Sequence, residues 1–451
     1  MRFLKWSGGI VLGLVLLAVA GYMGLRALGP PQAEREALAL LDAGPEPVVG
    51  VDGFAALYTV RHDIPASARD AVVAEDVRRL VASAPPGEDG APAWTSALGQ
   101  WPSLEPERAQ DDPSWCSARA DDCLDRVRSA PDAYAGLLQR HAGVLDRTAE
   151  LRAAHRFANP FPPRLDAPVP AFQSVVRLAT RTAWRFQAGQ VDLAMADACE
   201  DLALGRRMIE AGDSLIGSMV GATLVQDNAS LLGQMLAELP REHPLPAQCA
   251  RAVTPVLALE QGLCRTMQSE GRYVVAGLRN LDALAASGRD MPEWQLRLLF
   301  DPEATAARVA PAFAVYCQEP ARRQLSADLP LPPAALPTKS PRCLANAIGC
   351  ILSDIAAPPY ADYARRLQDA DAQLRTLAAM LELRGQDGAM DTAALARLPA
   401  ARGDRARPLL LDAEAGTLGV ALYGTRGDAD APGTWSVPLP ASRLQVVPAS
   451  P

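Results

Sequence analysis

Ser7 to Leu25 is a run of nineteen residues without a charge, set directly behind Arg2 and Lys5, and it narrows the possible folds more than any other feature of the chain. At about 1.5 Å of rise per residue, a helix of that length reaches about 30 Å, the depth of a bilayer's hydrocarbon core. Basic residues ahead of such a helix hold the N-terminus in the cytoplasm. Residues 1–28 are therefore expected to be a signal anchor and transmembrane helix, with everything after Arg26 exported. Ala18-Val19-Ala20 supplies a small-residue cleavage site, so the alternative is a removable signal peptide. The apolar run continues through Tyr22, Met23, Gly24 and Leu25, longer than the about 7–15 residues of a cleaved signal, which favours retention. Either way the body lies outside the cytosol. The expectation is a single pass of a bacterial inner membrane with the C-terminal body in the periplasm.

About 420 residues follow the anchor, enough for one large body or several ordinary domains. The formal charge of -8 argues against a phosphate-tracking face, so nucleic acid is not an expected partner. Aromatic residues make up 5% of the chain while Ala and Leu abound, a bias that suits closely packed helices better than sheets. The expected fold is mainly α, an antiparallel helical bundle with a small C-terminal β-hairpin.

Eight cysteines in an oxidising compartment permit four disulfides, but eight allow about 105 pairings. Cys116/Cys123 and Cys343/Cys350 share a spacing of seven, which on a continuous helix is about 10 Å, too far for a disulfide. A turn at Asp111-Asp112-Pro113-Ser114 and a cap at Asp121 or Asp122 make a Cys116–Cys123 bond plausible. Arg342 to Ile355 reads as helical, so Cys343 and Cys350 are expected to reach partners elsewhere. Cys199, on a face with Met195 and Leu202, reads as a buried inert thiol.

Five segments follow from composition: 1–28, the anchor; 29–158, helical with an irregular Trp-bearing loop at 84–115; 159–318, a central bundle; 319–342, a proline-rich connector; and 343–451, a long helix and hairpin. Pro131 to His155 carries an apolar seam that predicts one long helix, and Val191–Ala211 and Ser214–Leu239 predict two more. Tyr360, Tyr363, Leu367, Ala370, Leu374, Leu377 and Leu381 form the cleanest seam, expected to be a helix packed inside the body rather than a dimerising coiled coil. Pro408–Leu411 and Leu418–Tyr423 predict a hairpin, with Trp435–Leu439 as a further strand.

Motifs for chemistry are sparse. Gly212-Asp213-Ser214-Leu215 resembles the nucleophile block of GDSL esterases and lipases, but no D-x-x-H follows it, and a helix stop and cap explain the string better. Gly217 and Gly221 make a G-x-x-x-G spacing suited to a close helix crossing. His62, His141, His155 and His243 show no metal-ligand spacing, and no phosphate loop occurs, so no metal or cofactor is expected. Asp192, Asp197, Glu200 and Asp201 cluster, which a solvated helix face explains and which acid-base work on a sugar would also use.

Arg407-Pro408-Leu409-Leu410-Leu411, Leu422-Tyr423-Gly424 and Gly427-Asp428 behind a long helix resemble the tail of bacterial single-pass envelope proteins, itself similar to the C-terminal hairpin of pseudopilins. The D-P-x-x-G and prepilin leader of pseudopilins are missing. The resemblance implies export and membrane tethering, not filament assembly. The functional expectation is a non-catalytic interaction or structural role, with the bilayer and envelope proteins as partners. The alternative is an envelope-directed hydrolase using carboxylates in a groove of the body.

Overall fold

The described residues are mainly helical, as the chain's Ala/Leu content favours. The computed structural model describes residues 2–83, 94–107, 109–116, 122–164, 166–253, 257–280, 292–332, 340–356, 360–386, 391–398, 405–425 and 432–439. Helix α1 (Arg2–Ala27) ends at Gly29, and α2 (Gln32–Ala43) starts behind Pro31 and stops at Gly44. Then come α3 (Phe54–Tyr58) and α4 (Ala66–Ala82), the latter burying Val72, Val73 and Leu80 as its period predicts. The buried Asp76 of α4 accepts hydrogen bonds from Tyr58 Oη (2.7 Å) and Ala97 N (2.6 Å). It thereby pins the far end of the 84–115 loop onto α4; residues 84–93 lie outside the described ones.

The long helix expected at 131–155 is broken. After α5 (Cys123–Ser129) the seam runs through α6 (Pro131–Arg140), α7 (Ala142–Ala149) and a 3₁₀ turn, Glu150–Ala153. His141, at φ -93° and ψ 9°, bends the axis so that its buried ring meets Trp115 edge-on at 5.0 Å. Seam residues Tyr134, Leu137, Val144, Thr148 and Leu151 are all buried despite the bend, so periodicity located the face but not the kink.

The centre of the body is a hairpin of α10 (Val191–Ala211) and α11 (Leu215–Glu238), preceded by α8 (Gln173–Val176) and α9 (Leu178–Gln187). Gly212 closes α10 at φ 61°, where a Cβ would be strained, and Ser214 Oγ caps α11 by accepting from Gly217 N at 3.0 Å. The hairpin crosses at Gly205 and Gly221. A Cβ on Gly205 would stand 2.7 Å from the Gly221 carbonyl oxygen, and one on Gly221 would stand 2.6 Å from that of Gly205. Of the expected G-x-x-x-G pair, only Gly221 serves the crossing, since Gly217 lies beside its own cap.

Onto this hairpin pack α12 (Ala247–Ala252), α13 (Leu259–Arg279) and, from the C-terminal part, α19 (Tyr360–Gly385). Between the last two come α14 (Glu293–Leu299), α15 (Pro302–Val309), α16 (Pro311–Ala314), α17 (Glu319–Ser326) and α18 (Ala347–Ala356). Helix α17 corrects the extended connector expected from 319: Pro320 occupies the first turn of a helix, where its missing N–H costs nothing, and Ala321, Leu325 and Leu331 are buried. In α19 the seam residues Tyr360, Leu367, Ala370, Leu374 and Leu377 are buried, with Tyr363 and Leu381 half-buried against the same core. A short α20 (Thr392–Arg397) precedes an antiparallel sheet, β1 (Leu409–Asp412), β2 (Thr417–Thr425) and β3 (Pro432–Pro438), in the order β1-β2-β3. Trp435 of β3 is fully buried and donates from Nε1 to Ser230 Oγ of α11 at 2.9 Å.

All eight cysteines are paired. Cys116–Cys123 joins as expected, with a Cα–Cα distance of 5.4 Å. Cys343–Cys350 is also local, because Ala345 and Asn346 break the helix expected over 342–355 between a 3₁₀ turn (Pro341–Leu344) and α18. Cys199 is no free thiol: it bonds Cys249 and ties α10 to α12, while Cys264–Cys317 ties α13 to the turn behind α16.

Gly205→Val forces the central hairpin apart and is expected to lower stability by about 2 kcal/mol or more, read as a fall in the denaturant midpoint. The Cys199–Cys249 bond spans a separation of 50 residues, which restricts the unfolded chain by about 4 kcal/mol. Replacing both cysteines with alanine is expected to lower stability by about that amount in a denaturant titration of the purified full-length protein.

Candidate functional site

The acidic cluster of α10 does not open into a groove. Arg152 lies across it, donating from Nε to Asp201 Oδ1 (2.7 Å), from Nη2 to Asp201 Oδ2 (3.0 Å), and from Nη1 to Asp197 (2.5 Å) and Glu200 (3.2 Å). Arg185 holds the other oxygen of Asp197. Burial pushes the Asp201 carboxyl above its ordinary range, and the Arg152 charge pulls it back. Burial opposes the charge on Arg152 too, but Asp201 and Asp197 outweigh it and hold the guanidinium firmly charged. Asp192 stands apart, exposed and 3.2 Å from His243 Nε2. Asp197, Glu200 and Asp201 are thus paired with arginines, with Asp197 and Asp201 buried rather than on the solvated face expected from sequence.

A second ionic knot joins the sheet to the helices. Arg407 clamps Asp328 with two bonds (2.6 and 3.0 Å), donates to Asp369 (2.5 Å) and lies over the Tyr423 ring at 3.9 Å from its centre. Asp369 also accepts from the backbone N–H groups of Tyr423 and Gly424, both at 2.8 Å. Asp328 alone among the described non-glycine residues has a positive φ, 52°. The bidentate geometry of Arg407 rewards that strain. Nothing in sequence spacing announced this knot, since the two acids stand 38 and 79 positions from Arg407.

The other sequence candidates are structural. Asp213 and Ser214 of the GDSL-like string accept backbone N–H bonds from Phe157 and Gly217. Burial lowers the affinity of His62 and His141 for a proton, and His155 Nδ1 accepts from Val51 N at 3.3 Å. Among the described residues no group of three His, Cys, Asp or Glu is arranged to hold a metal ion.

A cleft opens at the root of α1. It has a volume of about 340 Å³ and is lined by Arg26, Glu34, Arg308 and Arg342, with Cys343 and Cys350 on its wall. Burial raises the Glu34 carboxyl, with Arg308 and Arg342 pulling it down. The hydroxyl of Ser340, which also lines it, caps the 3₁₀ turn by accepting from Arg342 N at 3.3 Å, and no histidine stands beside it as a base. Around the cleft α1 is fastened to the body: Tyr22 Oη donates to Leu298 O (2.7 Å), and Arg26 donates to Arg297 O (2.6 Å) and Phe300 O (3.3 Å). What this arrangement can do is fix the angle at which α1 leaves the body.

No protein-family model matches the chain, and no curated protein or solved structure is similar to it.

Removing the cation that serves the α10 acids separates a structural knot from a catalytic one. Arg152→Met leaves Asp201 buried without its countercharge and is expected to cost about 3–5 kcal/mol at neutral pH. The folded-state proton affinity of Asp201 then rises further above its unfolded value. The folded state binds more protons in that interval, and the deficit shrinks as pH falls towards about 4. Denaturant titrations of wild type and variant across this range check the trend, and a deficit that grows on acidification contradicts it.

Proposed function

We propose that the chain is a single-pass membrane protein, tethered by α1, whose helical body works on the exported side of a bacterial inner membrane by contacting other envelope components rather than by catalysis. The observation that carries the reading is the surface of α1. Leu12, Leu14, Leu16, Leu17, Val19 and Met23 are each 53–71% exposed, and among the described side chains the hydrogen bonds of α1 to the body lie in its last turns. An apolar helix without a protein partner is stable in hydrocarbon, where its backbone bonds are satisfied internally. Over the described side chains, which begin at Leu12 in α1, no single helix is long and apolar enough to cross a membrane. Leu12–Ala27 together with Gln32–Ala43, bent by 47°, has the length and composition for it. The basic Arg2 and Lys5 and the uncharged Ser7–Val11 extend α1 on the other side.

Export rests on an independent feature, the pairing of all eight cysteines, a pattern of oxidising compartments. The non-catalytic role is supported by Asp197, Glu200 and Asp201 being bound to arginines. A reporter enzyme that needs disulfides, fused behind residue 40, is expected to be active, and the full-length protein to stay with membranes after alkaline washing. An inactive reporter, or release by the wash, overturns the reading.

A further inference from the structure

Helix α18 turns small and polar residues into the body together with the half-buried Leu352 and Ala356. Ser353, Gly349 and the preceding Asn346 are buried against α15, where Asn346 Nδ2 donates to Thr305 Oγ1 at 3.0 Å and Ser353 Oγ to Thr305 O at 3.4 Å. Two large apolar residues of the helix face outward: Ile351 and Ile355, one turn apart, are 60% and 72% exposed, and Leu344 of the preceding 3₁₀ turn, 73% exposed, is tied to the helix by the Cys343–Cys350 bond. Helix α14, which packs beside α18, buries Leu296 and leaves further apolar residues outside: Trp294 and Leu298 lie one turn apart and are 62% and 44% exposed, with Leu299 next to them.

We infer that this face of α14 and α18 lies in the headgroup layer of the same bilayer that α1 crosses, so that the body rests on the membrane through an apolar foot. The inference rests on the tether reading. What identifies a lipid surface as the occupant is continuity with α1. Tyr22 and Arg26, at the point where the apolar run ends, are hydrogen-bonded to the last turn of α14, and the 3₁₀ turn bearing Leu344 packs against α1. The level at which α1 leaves hydrocarbon is therefore the level of the foot. Tyr22 and Trp294 stand there as interfacial aromatics do, with an apolar ring and a polar edge. A helix bearing isoleucine and leucine on one side and seated in the interface gains burial that water denies it.

The test uses the full-length chain in phosphatidylcholine vesicles whose acyl chains are brominated close to the headgroup. The difference in emission between wild type and Trp294→Phe isolates Trp294, and the difference between Leu17→Trp and wild type, in lipid brominated at mid-chain, reports α1. Quenching of both by about half or more is the expected result. Ile351→Asp with Ile355→Asp, at exposed positions outside the core, is expected to abolish the Trp294 quenching and leave the melting temperature unchanged. Quenching at Leu17→Trp without quenching at Trp294 overturns the foot and leaves the tether standing. Quenching at Trp294 alone overturns the span and keeps the foot, and quenching at neither overturns both.

Discussion

Backbone contact between Gly205 and Gly221 sets the spacing on which the rest of the body is built. Because no side chain separates α10 from α11 at their crossing, the flanking residues Leu202, Ile209, Leu224 and Val225 interlock and are buried completely. The narrow hairpin in turn offers two broad sides. One receives α13 and the other α19 with the sheet, so a single close approach organises elements some 200 residues apart in sequence.

Much of this was legible in the chain. Val191–Ala211 could be read to the residue and the cap of the next helix to Asp213 or Ser214, because a periodic apolar face and turn chemistry agreed there. The three strands, the Cys116–Cys123 bond and the internal packing of the Tyr360 seam were readable for the same reason. What failed were features decided by tertiary contact. His141 breaks a helix whose apolar seam stays regular, because its ring is needed against Trp115. Pro320 starts a helix in a stretch whose other prolines suggested extension. Cys199 finds Cys249 because α12 returns beside α10, a placement that local pattern does not encode. The acidic cluster was visible, but Arg152, which decides its meaning, lies 45 to 49 residues earlier.

The buried arginines share a logic. Arg152 and Arg407 each join elements that hydrophobic contact alone would let slide, since apolar packing has no direction and a bidentate guanidinium does. Arg407 fixes the sheet in one register against α19, through Asp328 and Asp369, and Arg375 adds a further bond to Asp328 at 3.3 Å. Such pairs are weak evidence for extra stability, because desolvating the charges offsets their attraction. Their contribution here is to specify one arrangement among several of similar packing.

Trp435 occupies its pocket from the last strand described, although the surface receiving it belongs to α11, some 200 residues earlier. Synthesis from the N-terminus makes the helices first and the plug last. Throughout that interval the pocket on α11 stands open, an apolar recess attractive to holding chaperones and to proteases alike. Completion of the chain and closure of the core thus coincide, and any chain interrupted short of β3 carries its own mark for disposal.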